Sequence, residues 1–269
     1  AGRFLAMAVL SVAALATLVP FLWMLGVSVR TPIDLFEDPT RLVPLDWTFG
    51  GYQAIWEELP FLRLLVNTFV FAGGATVLLV FFDSLAGFAF ARLRFRGSKA
   101  LFLVVIATLM VPFQTAIVPV YLLELNLGWL NTYQGLIVPR MASALGIFLI
   151  RQFLLSIPPE LDEAARIDGA GNWRIYRSVI MPLAKPALAS LFIIQFVALW
   201  NDFLWPLVIS TSIEMRTLPA ALTLFSSSTS TVNYAALMAG AAISVAPLAL
   251  IFLLAQRYFV QGIASSGLK

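Results

Sequence analysis

The chain has 269 residues, 61% of them hydrophobic and 12% charged, and a mean hydropathy of +0.93. With 22 Phe and 7 Trp its helices are apolar on every face, which lipid tolerates and water does not, so a soluble globular domain is excluded. The absence of Cys and His removes disulfides, thiolate metal sites, Ser–His proteases, H-E-x-x-H metalloproteases and haem-ligating bundles, and a net charge of +3 gives nucleic-acid binding no support.

An all-α, polytopic membrane protein is the predicted class, a single transmembrane domain over 1–269 with six spans of about 20 apolar residues. The first, 4–29, is too long for a signal peptide and lacks a small-residue cleavage site. The segment 31–63 follows, with two basic residues (Arg41, Arg63) against six acidic ones (Asp34, Glu37, Asp38, Asp46, Glu57, Glu58). Its acid excess argues against direct recruitment of an anion. The second span, 64–90, carries Asp83, for which an Arg or another polar neighbour is the expected partner. A short turn with Arg92, Arg94, Arg96 and Lys99 and no acid leads to the third span, 100–123. The fourth, 134–153, contains Arg140 and Arg151 near its ends, where both are expected to snorkel to the headgroups.

Next comes a charged island, 156–185, in an otherwise apolar chain. Pro158 and Pro159 suit a helix start. Asp162 and Arg166 stand four apart on one face of the helix predicted for Glu160 to Asp168. Gly169 and Gly171 are expected to break it by adopting positive φ, and Asn172 to cap a second short helix with Trp173, Tyr176, Arg177 and Ile180 on one face. Pro182 is expected to end that helix. The result is a compact knob outside the bilayer, shaped to press into a groove on another protein; an ordinary loop with two amphipathic helices fits the same physics. The fifth span is 187–209, Ser226 to Ser230 reads as a flexible loop, and the sixth span is 235–255. Pro112, Pro119, Pro206 and Pro247 are expected to kink their spans. The positive-inside rule places both termini, the Arg92–Lys99 turn and the knob in the cytoplasm, and 31–63 outside.

Were such a bundle to move a solute in one direction, it would need an energy source. No G-x-x-x-x-G-K-[ST] occurs, so there is no phosphate-cradling loop, and mid-membrane ionisable groups are few, Asp83 and Asp202 with Arg140 marginal. A borrowed ATPase, contacted through the knob, is the remaining option.

Glu163-Ala164-Ala165, Gly169 and Val179-Ile180-Met181-Pro182 resemble the loop E-A-A-x3-G-x9-I-x-L-P of ABC importer permeases, with volume-tolerant swaps at Val179 and Met181. Pro112, Pro119-Val120-Tyr121, Leu127-Gly128-Trp129-Leu130-Asn131-Thr132, Trp200-Asn201-Asp202 with Trp205-Pro206, and the tail Gln256-Arg257-Tyr258-Phe259-Val260-Gln261-Gly262 with Ser266-Gly267-Leu268-Lys269 resemble the carbohydrate-uptake branch, which includes the smaller membrane subunit of the maltose importer. The resemblance implies a non-enzymatic permease subunit of a bacterial or archaeal cell membrane, embedded in lipid. It implies ATPase coupling through Glu163, Ala164, Ala165, Asp168, Gly169, Ala170, Gly171 and Pro182. The implied partners are a second, usually different permease, two ATPase subunits that hold the ATP and Mg, and an extracytoplasmic solute-binding protein that captures cargo; this chain itself binds no cofactor. The expected cargo is a sugar or related polyol. A glycerophosphate-type importer and a non-transporting scaffold for a cytoplasmic ATPase are the alternatives.

Asn201 and Asp202 lie about fifteen residues, roughly 22 Å, into the fifth span, where a lipid-facing carboxylate costs on the order of 2–3 kcal/mol. Trp200, Asn201, Asp202 and Trp205 are therefore candidates to line a cargo path, aromatic faces and polar acceptors suiting a sugar; an interfacial aromatic belt with a helix–helix hydrogen bond is the competing assignment. Gln114, Gln195 and Asn67 are expected to hydrogen-bond between helices, and Gly73, Gly74 and Gly87 to mark close packing.

Overall fold

The computed structural model describes residues 2–227 and 233–266, excepting the side chains of 2, 227, 252 and 254–266. The described residues are helical nearly throughout, with one isolated antiparallel bridge, Arg30 to Trp47. Among the described residues four helices are long and apolar enough to cross a membrane, or six if each of two bent pairs counts as one span.

Helix α1 (Gly2–Ser28) runs along the last helix of the chain but leaves almost all of its own side chains exposed. Arg30 follows, fully buried, and organises the next segment. Its Nε and Nη2 donate to the Asp34 carboxylate (2.9 and 3.1 Å), Nη2 also reaches the carbonyls of Asp34 (2.6 Å) and Asp38 (2.7 Å), and Nη1 reaches that of Arg41 (3.0 Å). Asp34 accepts a further bond from Arg41 Nη1 at 2.9 Å. Thr31 caps the short α2 (Pro32–Glu37), accepting from the Asp34 N–H, with proline in the first turn where its missing donor costs nothing. Two of the six acids in this segment are thus already matched: Asp34 by Arg30 and Arg41, Asp38 by Arg41.

The hydrogen bond from Arg30 is the largest influence on Asp34 and holds its carboxyl below the ordinary value. A carboxyl depressed by folding contributes stability above its unfolded value, about 3.9, and loses it as pH falls through the lower folded value. Amide protection across 31–48, corrected for intrinsic exchange, is therefore expected to be flat from neutral pH down to about 5 and to collapse below about 4. Asp34→Asn should collapse it at neutral pH; full protection in that variant would show that the knot does not hold the segment.

Helix α3 (Gly50–Glu58) packs on the last helix where Gly51 meets the Ala235 backbone at a distance no Cβ fits. Helix α4 (Phe61–Arg92) is the central post. Three buried clusters are stacked along it. Ile55, Leu59 and Leu64 gather at one end, Phe71, Ala72 and Ala75 with Trp200 and Trp205 in the middle, and Leu79 and Phe88 with Ile150, Leu154 and Tyr176 at the other.

The expected third span is broken. Helix α5 (Ser98–Ala107) ends in a 3₁₀ turn, Thr108–Met110, and α6 (Phe113–Leu127) leaves at 100° to it. Pro112, extended at the N-cap of α6, denies the backbone a donor and biases Val111 away from helix, so the kink expected there is a corner. Pro119 lies within α6. The fourth segment is also broken. Helix α7 (Tyr133–Ile137) and a 3₁₀ turn, Val138–Arg140, meet α8 (Ala144–Leu155) at 46°.

Helix α9 (Glu160–Ile167) and α10 (Asn172–Ile175) form the predicted knob, but Pro182 does not end its second helix. Instead α10 passes through a π-turn, Tyr176–Ile180, into α11 (Met181–Trp200), an unbroken 29-residue run from Asn172. The Met181 N–H reaches back to the Tyr176 carbonyl, five residues away. That wider turn displaces the carbonyl that a proline ring at 182 would otherwise strike, which is how the helix survives it. The fifth span therefore starts earlier than expected and stops earlier, at Trp200. Helix α12 (Leu204–Ile209), with Pro206 in its first turn, is separate. Helices α13 (Leu218–Leu222) and α14 (Leu224–Ser227) lead to α15 (Tyr234–Ser266), which contains Pro247. Within the expected loop 226–230, Ser226 and Ser227 are helical; 228–230, and Gly267 to Lys269 of the tail motif, lie outside the described residues.

The polar residues expected between helices behave as follows. Asn67 donates to the Glu214 and Arg216 carbonyls and accepts from the Tyr133 hydroxyl, and Gln195 donates to Ser143. A Cβ at Gly87 would press on Ile150 and one at Gly74 on Ile137, whereas Gly73 faces open space. Gln114 instead faces a cavity.

Candidate functional site

Two regions carry the candidate residues. In the knob, the Ala170 N–H bonds the Ala165 carbonyl (2.9 Å) and the Gly169 N–H that of Arg166 (3.0 Å), the paired bonds of a Schellman stop. Gly169 sits at φ +81°, the left-handed conformation this motif requires. Gly171 does not share it: at φ −73° it is extended and occupies the N-cap place expected of Asn172. Asp162 pairs with Arg92 (3.2 Å) rather than with Arg166, and Arg92 also donates to the Ile157 carbonyl (2.7 Å), tying α9 to the end of α4. Tyr176 shares a hydrogen bond with Ser84 (2.8 Å) and meets Phe88 edge-on. Ala165 and Ala170 pack inward on this cluster, while Glu163, Ala164, Asp168 and Pro182 are exposed. Ile167 is 88% exposed and Trp173 59%, so the knob is anchored by one face and offers an apolar side to whatever lies beyond.

The second region is where α11 stops. Asn201 folds back to donate to the Val197 carbonyl (2.8 Å), and Asp202 Oδ1 accepts the Trp205 backbone N–H (3.3 Å), closing one helix and opening the next. Asp202 Oδ2 receives Arg140 Nη2 at 2.7 Å. The Arg140 guanidinium also lies 4.3 Å over the Phe113 ring. Arg140 therefore turns into the protein at the break before α8, held by a carboxylate and an aromatic face in place of the headgroup contact expected. Arg151 turns inward as well, over Phe102 (4.2 Å) and toward the Phe90 carbonyl (3.3 Å). A cavity of about 280 Å³ opens beside the Arg140–Asp202 pair, lined also by Phe113, Gln114, Ala198 and Trp205.

Of the four candidates for a cargo path, Asp202 and Trp205 reach this cavity. Trp205 is fully buried, donating to the Leu136 carbonyl (3.1 Å) with its ring edge-on to Phe113. Trp200 does not reach it. It is also fully buried, donates to the Ser244 carbonyl (3.1 Å) and meets Phe69 edge-on, which is a packing role. Asn201 serves the helix end. The residue that sequence reasoning missed is Arg140; a cation inside an otherwise apolar span opposite an acid near the end of another was the available signal.

Among the described residues Asp83 meets no Arg; the polar neighbour it pairs with is Ser143. Its Oδ1 accepts the Ser143 backbone N–H (3.0 Å) where α8 begins, and Oδ2 has no hydrogen-bond partner among the described residues. The free donors and positive dipole end of α8 do here what an arginine would otherwise do. Asn131 explains the Gly-Trp-Leu-Asn-Thr segment. At φ +56° it bonds the Ile209 carbonyl, the Ser212 N–H and the Thr211 hydroxyl, stapling the entry to α7 onto the exit of α12. Among the described residues no group of His, Cys, Asp or Glu is placed to hold a metal ion.

Residues 83–265, from Asp83 almost to the end of α15, match the family described as "Binding-protein-dependent transport system inner membrane component". The chain belongs to that family. It is an ABC-importer permease, a multi-pass inner-membrane transport subunit and not an enzyme, ATP hydrolysis residing on a separate subunit. The permease is 36% identical over 239 residues, 86% of this chain and 85% of the relative, to the sn-glycerol-3-phosphate transport system permease protein UgpE of Salmonella typhi. It is 36% identical over 240 residues, 87% and 85% of the two chains, to UgpE of Yersinia enterocolitica. In fold it resembles a chain of a bacterial ABC transporter involved in the import of the acidic polysaccharide alginate, with a TM-score of 0.83, 24% identity and 96% of both chains covered. It also resembles one of the MetNI methionine ABC transporter, with a TM-score of 0.56, 20% identity, and 76% of this chain and 98% of that one covered. The permease thus falls in the carbohydrate and polyol branch of the importers, which work with ATPase and solute-binding partners.

Proposed function

We propose that the permease forms half of the translocation pore of an ATP-driven, binding-protein-dependent importer whose cargo is a phosphorylated polyol of the glycerophosphate type, in preference to a neutral sugar. The observation that carries the cargo assignment is the 36% identity over most of both chains to sn-glycerol-3-phosphate permeases. The other half of the pore is a second, different permease of the same kind, with two ATPases below and a solute-binding protein outside. The exposed side of the knob, with Glu163, Ala164, Asp168 and Gly169, docks on one ATPase; its anchoring on α4 through the Arg92–Asp162 and Ser84–Tyr176 contacts supports that assignment. Proteoliposomes holding the permease, its co-encoded partners and the cognate binding protein are expected to hydrolyse ATP faster with sn-glycerol 3-phosphate and to accumulate it. Stimulation by maltose or another neutral sugar alone would return the cargo to that class.

Both termini, the Arg92–Lys99 turn and the knob belong on the cytoplasmic face in this arrangement, with 31–63 outside. Single cysteines in this cysteine-free chain test it. Position 46 should react with an impermeant thiol reagent from outside, and positions 97 and 171 only after permeabilisation. External labelling at 171 would overturn both the orientation and the docking role.

A further inference from the structure

We infer that Arg140 binds the phosphate group of the cargo, and that Asp202 is the counter-ion it gives up in exchange. The inference rests on the cargo class proposed above and assigns it a site. Three observations carry it. Both Asp202 oxygens are already engaged, one by Arg140 Nη2 and the other by the Trp205 N–H, so the carboxylate has little left to offer a sugar hydroxyl. Arg140 is the opposite case: a guanidinium has five N–H donors, and its buried Nε has no partner among the described residues. Finally, Arg140 and Asp202 are, among the described residues, the two charged ones lining the cavity, beside the Gln114 amide. An entering phosphate monoester with a charge of about −1.5 to −2 outbids a single carboxylate for the planar fork, which takes two oxygens of such a group side by side. Phe113, stacked on the guanidinium, fixes its plane through the exchange. A neutral sugar brings no charge with which to part the pair.

A purely structural ion pair between the end of α11 and the break before α8 is the competing explanation, and Arg140→Gln alone does not separate the two, because it strands a buried carboxylate. Arg140→Gln with Asp202→Asn does, since the two amides can bond each other and neither is charged. In proteoliposomes with all partners, this double variant is expected to assemble and to lose at least tenfold in sn-glycerol 3-phosphate uptake. Arg140→Lys, which keeps the charge and the pair but not the fork, is expected to assemble normally and lose several-fold. Wild-type uptake by either variant would overturn the inference while leaving the cargo class intact. A wild-type importer that moves maltose and not sn-glycerol 3-phosphate would instead overturn the cargo class.

Discussion

Gly169→Val is expected to abolish uptake while the permease still inserts and purifies. A Cβ at this position meets no atom within 4 Å, so nothing is crowded; the obstacle is the backbone itself, at φ +81°. Holding an L-residue there costs roughly 1–2 kcal/mol, and a β-branched one more. The cheaper response is to leave the left-handed region, which releases the Ala165 and Arg166 carbonyls and swings α10 out of line with α9. Global stability changes little, because the buried cluster beneath lies on the α4 side. Gly169→Asn, which tolerates the conformation, should retain most of the activity. Wild-type transport by the valine variant would remove this bend from the coupling of ATP hydrolysis to transport.

Gly146→Ala is expected to lower stability markedly. A methyl group there would overlap Asp83 Oδ2 and lie 2.9 Å from its Cγ, within the first turn of α8. Overpacking of this kind costs typically 1–3 kcal/mol. Here the side chain that must yield is also the one that accepts the Ser143 N–H, so the break before α8 loses its acceptor as well. A clear fall in thermal stability in detergent is expected, partly recovered by adding Asp83→Ser, which removes the overlapping oxygen. A single variant as stable as wild type would mean that the contact between α4 and α8 is not tight.

The long apolar runs made the helical membrane fold legible, because lipid forces each run to satisfy its own backbone. Much of the knob was legible too, since Gly169 and the prolines at 158 and 159 act locally. What escaped was everything set by another helix. The course of the chain through Pro182 depends on a π-turn that no pattern of hydrophobicity marks. The 100° corner at Pro112 looks in sequence like any proline kink. Arg140 and Arg151 were expected at the headgroups, and Asp83 beside an Arg or another polar group left unspecified, because residue type gives charge but not neighbours. Their actual partners, Asp202, two phenylalanine faces and a helix N-terminus, come from segments tens of residues away. Trp200 and Trp205 are five apart, chemically identical and both buried in one cluster, yet only Trp205 also borders the cavity, a difference made by the helix break at 201–203.

The continuity of the helix from Asn172 to Trp200 has a mechanical consequence. At 1.5 Å per residue its 29 residues make a rod roughly 43 Å long. The Gly169 bend lies at its foot and Asp202 just past its tip. A push on the foot cannot be absorbed in a loop, since none intervenes, and reaches the other end as tilt or twist. The π-turn near the foot is a place along the rod where the pitch is slack, and Pro186, inside the helix just above it, removes a further backbone donor. A change of helical register there would rotate everything above it, turning Asp202 toward Arg140 or away from it without any local unfolding. Work done at one face of the membrane would then be felt at the ion pair as a change of angle.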